Sequence, residues 1–158
     1  MSVKVRQAVA GDELRVADLL VRLVEQHVQY DPVRFSNFIT LEGAAAFYRG
    51  RIESRNAAVL VAETDNQIAG FAYLEFEERN YENLMEKGVW LHDIYLEPEA
   101  RAAGTGKALI QAATKAAKEL GGGKLLLGVA AKNLAAQTFF ESFGFRTTML
   151  EMTLDLDN

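Results

Sequence analysis

The chain has 158 residues, a length typical of one domain, and it contains no cysteine. Its 17 basic and 22 acidic residues give a net charge of -5, and the basic residues are scattered along the chain. This composition argues against direct binding of nucleic acid and excludes thiol catalysis, zinc–thiolate sites and disulfide bonds.

Hydrophobic periodicity, together with the positions of glycine and proline, divides the chain into strands and helices. The predicted elements are, in chain order, a strand at residues 3–10, helices at 13–29 and 40–54, strands at 57–63, 68–78 and 89–98, a helix from about 104 to 120, a strand at 124–130, a helix at 133–144 and a strand at 145–156. No repeat or linker interrupts this order. It predicts a single domain of mixed α/β class over residues 1–158.

No predicted element suits a membrane or a metal ion. The longest apolar runs are far shorter than the roughly 20 residues that span a bilayer, and the first residues lack the apolar core of a signal peptide. His27 and His92 are the two histidines, and they are too far apart to suggest a metal cluster. We therefore expect a cytoplasmic protein with no membrane partner and no metal.

The stretch "RAAGTGKALI", residues 101–110, begins one of the predicted helices with a glycine-containing turn. A Walker loop would need glycine where Arg101 stands and serine or threonine where Ala108 stands. A dinucleotide fingerprint would need a third glycine at Leu109 and a preceding series of alternating strands and helices. The stretch fits neither pattern.

A simpler anion site fits this turn better. Gly104 and Gly106 let the backbone approach an anion closely, and the first N–H groups of the new helix point toward it. Arg101 and Lys107 add positive charge. The stretch thus predicts a diphosphate site that needs no metal, with an ordinary glycine turn as the alternative.

Two blocks in the second half of the chain carry a family resemblance. Arg101-x-x-Gly104-x-Gly106, directly after "LHDIYLEP", is similar to a Q/R-x-x-G-x-G/A signature, and "NLAAQTFFESFGFR" is similar to an Asn-x-x-Ala segment that ends in Gly-Phe. Together they resemble the GNAT superfamily of acetyl-coenzyme A dependent N-acetyltransferases. The resemblance implies a mixed, mostly antiparallel sheet of about six to seven strands, with helices on both faces. It also implies direct transfer of acetyl from acetyl-coenzyme A to a primary amine of a small molecule or protein.

The resemblance further implies that the backbone holds most of the acetyl-coenzyme A. In such proteins the strand before the phosphate loop diverges from the next strand, and the pantetheine arm pairs with the exposed main chain. The implied contacts are the main chain of Ile94, Tyr95 and Leu96 for pantetheine, and the amides of Arg101, Ala102, Ala103, Gly104, Thr105, Gly106 and Lys107 for the diphosphate.

Two residues of the second block have implied roles near the cofactor. Asn133 would cap the short helix, bind the cofactor, or do both. Phe140 stands where many members of the family have a tyrosine that protonates the departing thiolate, and phenylalanine has no proton to give. This departure favours an alternative function, a non-catalytic acyl-coenzyme A sensor that keeps the cofactor groove.

The strand "WLHDIYL" supplies the candidate catalytic residues. It resembles a Leu-Glu-Asp-aromatic pattern of diamine acetyltransferases, with His92 in place of the glutamate. His92 is the first candidate for the general base, because imidazole exchanges protons near neutral pH. The alternative is that His92 is a structural histidine of the sheet. Asp93 would orient a water, bind the amine, or be structural. Strict alternation would place Trp90, His92, Ile94 and Leu96 on one face of the strand, with Asp93 and Tyr95 on the other.

The acceptor site carries no motif. By analogy of position, the end of the first helix would supply the substrate-binding residues Glu25, His27, Tyr30 and Asp31. An acidic set around the predicted hairpin would attract a cationic amine or form a solvated face: Glu75, Glu77, Glu78, Glu82 and Glu86. Pairing through exposed C-terminal strands would produce a homodimer.

Overall fold

The structure is a computed structural model that describes residues 2–157. Its elements are β1 (Val3–Gln7), α1 (Glu13–Tyr30), α2 (Leu41–Glu53), β2 (Ala57–Thr64), β3 (Gln67–Glu77), β4 (Gly88–Leu96), a 3-10 turn (Pro98–Ala103), α3 (Thr105–Glu119), β5 (Leu125–Leu126) and α4 (Leu134–Ser142). Within residues 2–157, no helix is both long and apolar enough to cross a membrane.

Contacts within the chain group the described residues into two compact units. The first unit extends to Leu23 and resumes from Ile39 to Gly128, while the second combines residues 24–38 with the chain from Val129 onward. The whole sheet lies in the first unit. The single-domain organisation expected from the sequence stays a prediction.

The sheet has the order β1-β2-β3-β4-β5. Strands β1 to β4 pair antiparallel with their neighbours, whereas β5 pairs parallel to β4. The β2–β3 hairpin turns through Asp65 and Asn66, whose positive φ values of 50° and 64° match the two-residue turns that favour asparagine and aspartate. The predicted mixed, mostly antiparallel α/β class is confirmed.

Helices cover both faces of this sheet. On one face, α1 and α2 contribute Val16, Leu19 and Tyr48 to a buried cluster that includes Phe71 and Tyr73 of β3. We call this the α1–α2 face. The buried side chains of α3 cover the opposite face, where Leu74 of β3 is also fully buried. Both layers arise from apolar side chains at the expected helical and strand periods.

Local signals place the ends of the helices correctly. The Thr40 hydroxyl accepts a hydrogen bond from the amide of Gly43 at 3.0 Å and caps α2, so the helix predicted from residue 40 begins where it was expected. Gly121, with φ of 90°, follows the last turn of α3 in the left-handed conformation that glycine adopts most easily.

Two predicted strands differ from the structure. The strand expected at 124–130 is limited to Leu125–Leu126, and the segment 145–157 forms no strand among the described residues. Within residues 2–157, the sheet therefore has five strands and not the implied six to seven. Strand assignment needs a hydrogen-bonded neighbour, and alternation along 145–156 predicts only the shape of the chain, not the partner that would complete the ladder.

Candidate active site

The turn after β4 presents a helix N-terminus. Gly104 has φ of 76° and precedes Thr105, the first residue of α3, and no side chain caps this helix. The first bond into the helix is donated by the Ala108 amide to the Gly104 carbonyl at 3.1 Å. The amides of Thr105, Gly106 and Lys107 therefore lie in the first turn, where N–H groups have no intrahelical acceptor. Such a turn fits a diphosphate.

Side chains around this turn leave the backbone accessible. Ala102, Ala103, Gly104 and Lys107 are exposed, and the first three of these residues carry no more than a methyl group. The Arg101 Nε donates to the Leu96 carbonyl at 3.0 Å, and its guanidinium lies 5.6 Å from the centre of the Tyr95 ring. Arg101 thus ties the turn back to the end of β4.

Thr105 is a polar exception inside the turn. Its side chain is fully buried, and its hydroxyl oxygen has no hydrogen-bond partner among residues 2–157. Buried hydroxyl groups normally find a partner, so the Thr105 hydroxyl is an unsatisfied polar group in the first turn of α3.

The strand before the turn is open along one edge. Strand β5 pairs with β4 only at Val89 and Trp90. Farther along β4, Ile94, Tyr95 and Leu96 pair with β3 on the other edge. In the described part of the chain, the second edge of β4 has no strand partner beyond Trp90, which leaves main-chain groups available for an extended ligand.

A β-bulge interrupts β4 near the start of this open edge. Tyr73 of β3 lies opposite Asp93, but the next residue, Leu74, lies opposite Leu91, so His92 is the extra residue. Because of this extra residue, the face prediction for β4 is wrong for Trp90 and His92, whereas Asp93 and Tyr95 share one face and Ile94 and Leu96 share the other, as predicted. Trp90, Asp93 and Tyr95 all lie opposite residues on the α1–α2 face, and Ile94 and Leu91 lie opposite residues on the other face.

The His92 side chain also turns toward the α1–α2 face. Its ring stacks with Tyr73 at 5.4 Å and 24°, and with Trp90 at 6.3 Å and 21°. Its Nε2 lies 3.0 Å from Oε1 of Glu77, and 38% of the side chain stays exposed. His92 therefore belongs to a ring-stacked, carboxylate-linked group that remains open to solvent.

Tyr48 of α2 is a site residue that the sequence reasoning missed. Its hydroxyl donates to Oδ2 of Asp93 at 2.6 Å, and the residue is fully buried. Burial raises the pKa of Tyr48, and the nearby Asp93 raises it further, so the phenol keeps its proton and continues to donate. Its only signal in the sequence is a tyrosine among small residues on a helix, which also suits an ordinary core position.

The neighbouring carboxylate of Glu75 is held by two hydrogen-bond donors. Glu75 accepts hydrogen bonds from the Tyr73 hydroxyl and from Nη1 of Arg51, the latter at 2.7 Å. Burial raises the pKa of Tyr73, and the bond to Glu75 raises it further. Of the acidic set, Glu86 is also paired, with Arg79 at 2.7 Å. Most of this set is therefore engaged in contacts and does not form a free anionic rim.

Tyr95 packs in the core of the α1–α2 face. It belongs to the buried cluster with Phe71 and Tyr73, and burial raises the pKa of its hydroxyl. Its predicted contact to pantetheine concerns the main chain and is compatible with this packing.

The candidate acceptor residues lie in the second unit. The His27 ring makes edge contacts with Tyr30 and Phe35, at 6.5 Å and 5.1 Å. The Asp31 carboxylate accepts hydrogen bonds from the backbone amides of residues 33 and 34, which gives it a structural role in the turn after α1. Glu25 is exposed near the end of α1.

Asn133 and Phe140 also belong to the second unit. The Asn133 side chain accepts a hydrogen bond from the Ala136 amide at 3.1 Å and caps α4, which fits one of its two predicted roles. Phe140 is buried against the rings of Phe139 and Phe145, at 5.4 Å and 5.6 Å. Phe140 therefore packs among aromatic rings.

An open strand edge that leads into a glycine turn and a helix N-terminus defines a class of α/β domain suited to an extended, phosphate-bearing cosubstrate. The model of the acetyltransferase (GNAT) family matches residues 22–145. The chain belongs to this family, and it is an acetyl-coenzyme A dependent N-acetyltransferase.

Similar proteins agree with this assignment. The chain is 28% identical over 142 residues to the uncharacterized N-acetyltransferase YhfO of Bacillus subtilis, covering 89% of this chain and 88% of that protein. It is 28% identical over 115 residues to the uncharacterized N-acetyltransferase Rv2669 of Mycobacterium tuberculosis, covering 73% of this chain and 69% of that protein.

Solved structures show the same fold. A mutant of the BH1408 protein from Bacillus halodurans has a TM-score of 0.84 at 24% identity, covering 97% of this chain and 99% of that chain. The aminoglycoside N-acetyltransferase AAC(6')-Iy in complex with coenzyme A has a TM-score of 0.79 at 18% identity, covering 99% of this chain and 96% of that chain.

Proposed function

We propose that this N-acetyltransferase acts directly on a primary amine of a small molecule, a protein side chain or a protein terminus, and that His92 is its general base. The observation that carries the proposal is the open edge of β4, which leads into the first turn of α3. His92, the extra residue of the bulge, lies on the same strand two residues after the last β5 pairing at Trp90.

The backbone would do most of the binding. The main chain of residues 94–96 would hold the pantetheine arm, and the amides of residues 101–107 would hold the diphosphate. Asn133 would hydrogen-bond the cofactor or an ordered water, and Phe140 would pack beside the thioether. Acetyl-coenzyme A supplies the acetyl group as a thioester whose carbonyl carbon is open to attack. Main-chain N–H groups at the open edge would polarise that carbonyl, so catalysis would rest mainly on positioning.

The acceptor amine must lose a proton before it can attack. An ordinary alkyl amine has a pKa of about 10.4, so deprotonation at neutral pH requires roughly 4–5 kcal/mol. His92 would take this proton, and Asp93, held by the Tyr48 hydroxyl, would orient the amine or a water. Glu25, His27, Tyr30 and Asp31 stay proposed acceptor residues, with Asp31 contributing through the turn that it holds.

The leaving thiolate requires a proton from elsewhere. Phe140 has none, and the two rings that it contacts, Phe139 and Phe145, carry no donor either. The buried Tyr95 hydroxyl also keeps its proton within the core. We infer that water protonates the thiolate.

Phe140 also supports a second candidate function. A domain that binds acyl-coenzyme A without turnover would keep the β4 edge and the glycine turn while lacking a proton donor for the thiolate. Such a domain would act as a sensor or an interaction module. The two candidates share the cofactor groove and differ in amine-dependent chemistry.

Two measurements on the purified chain test this proposal. Calorimetric titration with acetyl-coenzyme A measures binding, and a thiol-release assay against a panel of amines measures turnover. The transferase predicts both binding and amine-dependent thiol release, which His92→Gln reduces. Tight binding without release for any amine would favour the sensor, and no binding would refute both functions.

We also propose a homodimer formed through the C-terminal segment. The described part of this segment forms no strand, and it exposes a set of large apolar side chains: Met149 74%, Leu150 77%, Met152 92%, Leu154 82% and Leu156 84%. Contiguous apolar surface of this kind marks association sites. Sedimentation of the wild type and of Leu154→Asp should show a dimer that the variant dissociates, and a monomeric wild type would contradict the proposal. A cytoplasmic location, supported by the cysteine-free composition, also stays a proposal.

A further inference from the structure

We propose that Glu77 is a positioning residue that fixes the tautomer of His92 and thereby makes Nδ1 the basic nitrogen. The inference rests on the proposed function, in which His92 is the base. It adds Glu77 of β3 to the proposed chemistry. The sequence predicted for this residue only membership of an acidic set that would attract a cationic amine or form a solvated face.

The contact geometry determines the tautomer. Nε2 of His92 lies 3.0 Å from Oε1 of Glu77. An ionised carboxylate can only accept a hydrogen bond, so Nε2 must carry the hydrogen, and a neutral imidazole then has its free lone pair on Nδ1. Among residues 2–157, no hydrogen bond to Nδ1 is present, so this nitrogen stays available for a proton.

Two aromatic rings hold the plane of the imidazole. Tyr73 and Trp90 both stack on it, with interplanar angles of 24° and 21°. A 180° flip about the Cβ–Cγ bond would keep both stacking contacts but would move Nε2 away from Glu77, so the hydrogen bond selects the orientation of the ring. The two aromatic rings hold its plane, and the carboxylate selects the tautomer.

The bulge is what makes this contact possible. Glu77 lies on the α1–α2 face, two and four residues along β3 from Glu75 and Tyr73. Without the extra residue in β4, alternation would separate His92 from that face. Glu75 cannot replace Glu77, because it is already bonded to Tyr73 and Arg51.

The proton moves from the acceptor to the imidazole ring and then to water. Nδ1 accepts one proton from the acceptor ammonium, directly or through one water, and the amine nitrogen keeps the electron pair with which it attacks. The ring becomes an imidazolium that still donates Nε2–H to the Glu77 carboxylate. Its positive charge is then beside a negative one, and Nδ1 later returns the proton to water.

Two independent measurements test this proposal: NMR identifies the tautomer of His92, and kinetics measures the reaction rate. In protein labelled with ¹⁵N-histidine, long-range ¹H–¹⁵N correlation at mildly alkaline pH identifies which nitrogen carries hydrogen. With two histidines in the chain, His27→Gln assigns the signals. We expect Nε2–H for His92 in the wild type and in Glu77→Gln, whose amide oxygen still accepts a bond, and a mixture of tautomers in Glu77→Ala.

The kinetic arm uses the same variants with an amine that is acetylated. A general base typically contributes about 10²–10⁴-fold to the rate, so loss of the Glu77 charge should reduce kcat about tenfold in Glu77→Gln and more in Glu77→Ala. The KM for acetyl-coenzyme A should not change. Glu119→Gln, which alters an exposed carboxylate at the end of α3, is the control and should match the wild type.

The outcomes distinguish this proposal from the proposed function. Nδ1–H on His92 in the wild type would overturn the role of Glu77, whether or not any amine reacts. Full turnover in Glu77→Ala would overturn it as well, while leaving the transferase intact. Nε2–H in a protein that acetylates no amine would support the geometry described here and refute the transferase chemistry.

Discussion

Gly104 is the position at which one added methyl group tests the diphosphate turn most directly. Its φ is +76°, and a Cβ atom there would meet no heavy atom within 4 Å. The effect of Gly104→Ala is therefore backbone strain without a steric clash. A left-handed conformation costs an L-residue roughly 1–2 kcal/mol, so the free energy of unfolding should decrease by about that amount if the turn keeps its shape.

The turn can instead relax, and then binding changes. If the substituted residue moved out of the left-handed region, the first amides of α3 would turn away from the diphosphate. A loss of about 1–2 kcal/mol corresponds to roughly fivefold to thirtyfold weaker binding of acetyl-coenzyme A. Urea denaturation measures the first outcome and calorimetric titration the second, and their combined loss should approach the strain energy.

Gly50→Ala is the matched control for this substitution. Gly50 lies inside α2, and an added Cβ would also meet nothing within 4 Å, but its φ lies outside the left-handed range. Alanine should stabilise the helix there by about 0.5–1 kcal/mol, because glycine loses more backbone freedom on folding. Gly104→Asn should recover part of the loss, since asparagine tolerates the left-handed conformation. Unchanged stability together with unchanged affinity in Gly104→Ala would refute the reasoning.

Three further substitutions test the packing that positions the site. Tyr48→Phe removes a donor to the Asp93 carboxylate and should lower the free energy of unfolding by about 1–3 kcal/mol in urea denaturation. Gly70→Ala would place a Cβ atom 2.7 Å from a backbone oxygen of β4, so the two strands must separate, and the unfolding midpoint should fall by an amount equivalent to about 1–3 kcal/mol. Asp12→Asn removes a carboxylate whose pKa is lowered chiefly by its hydrogen bond with Arg6. The stability that the ionised carboxylate contributes is fully present above the ordinary pKa of 3.8 and is lost as pH falls through the lower folded pKa. Urea denaturation across pH should therefore show a difference from the wild type that shrinks in acid.

Neutral counterparts in the chain serve as controls for these substitutions. Tyr81→Phe alters a tyrosine that is 88% exposed and should change stability by less than about 0.5 kcal/mol. Asp155→Asn, in the exposed C-terminal segment, should likewise change stability by less than about 0.5 kcal/mol. A loss in Tyr81→Phe as large as that in Tyr48→Phe would contradict the assigned role of the buried hydroxyl. A difference for Asp12→Asn that grows in acid would reverse the assigned sign.

Elements with a local cause could be predicted from the sequence. The cap at Thr40 and the turn at Asp65 and Asn66 depend on residues within a few positions of one another, and the structure places both as expected. The C-terminal segment has equally clear alternation but forms no strand, because a strand also needs a partner at a distance in the sequence. Alternation predicts a conformation, and pairing decides whether it becomes part of a sheet.

In the candidate site, too, features with a local cause could be predicted and contacts between distant elements could not. The glycine turn was accessible to sequence reasoning, since a helix start after Gly104 follows from local residue preferences. The contacts of His92 and Asp93 were not, because a bulge has no strong residue signature and one extra residue changes every face assignment that follows it. Tyr48 was missed for a related reason: its role depends on a contact between α2 and β4.

One irregularity connects the two halves of the proposed chemistry. Strand β5 leaves β4 after Trp90, and the bulge follows at His92, so the open edge and the exposed imidazole begin within two residues of each other. A bulge bends its strand and increases the local twist, which makes continued pairing with a straight parallel neighbour harder. In the proposed function, the extra residue would help to separate β4 from β5 and so expose backbone for the cosubstrate, and it brings His92 to the face where its Nε2 contacts Glu77. The proposed binding edge and the proposed base would then be coupled through the backbone, and a substitution that removed the bulge should affect both.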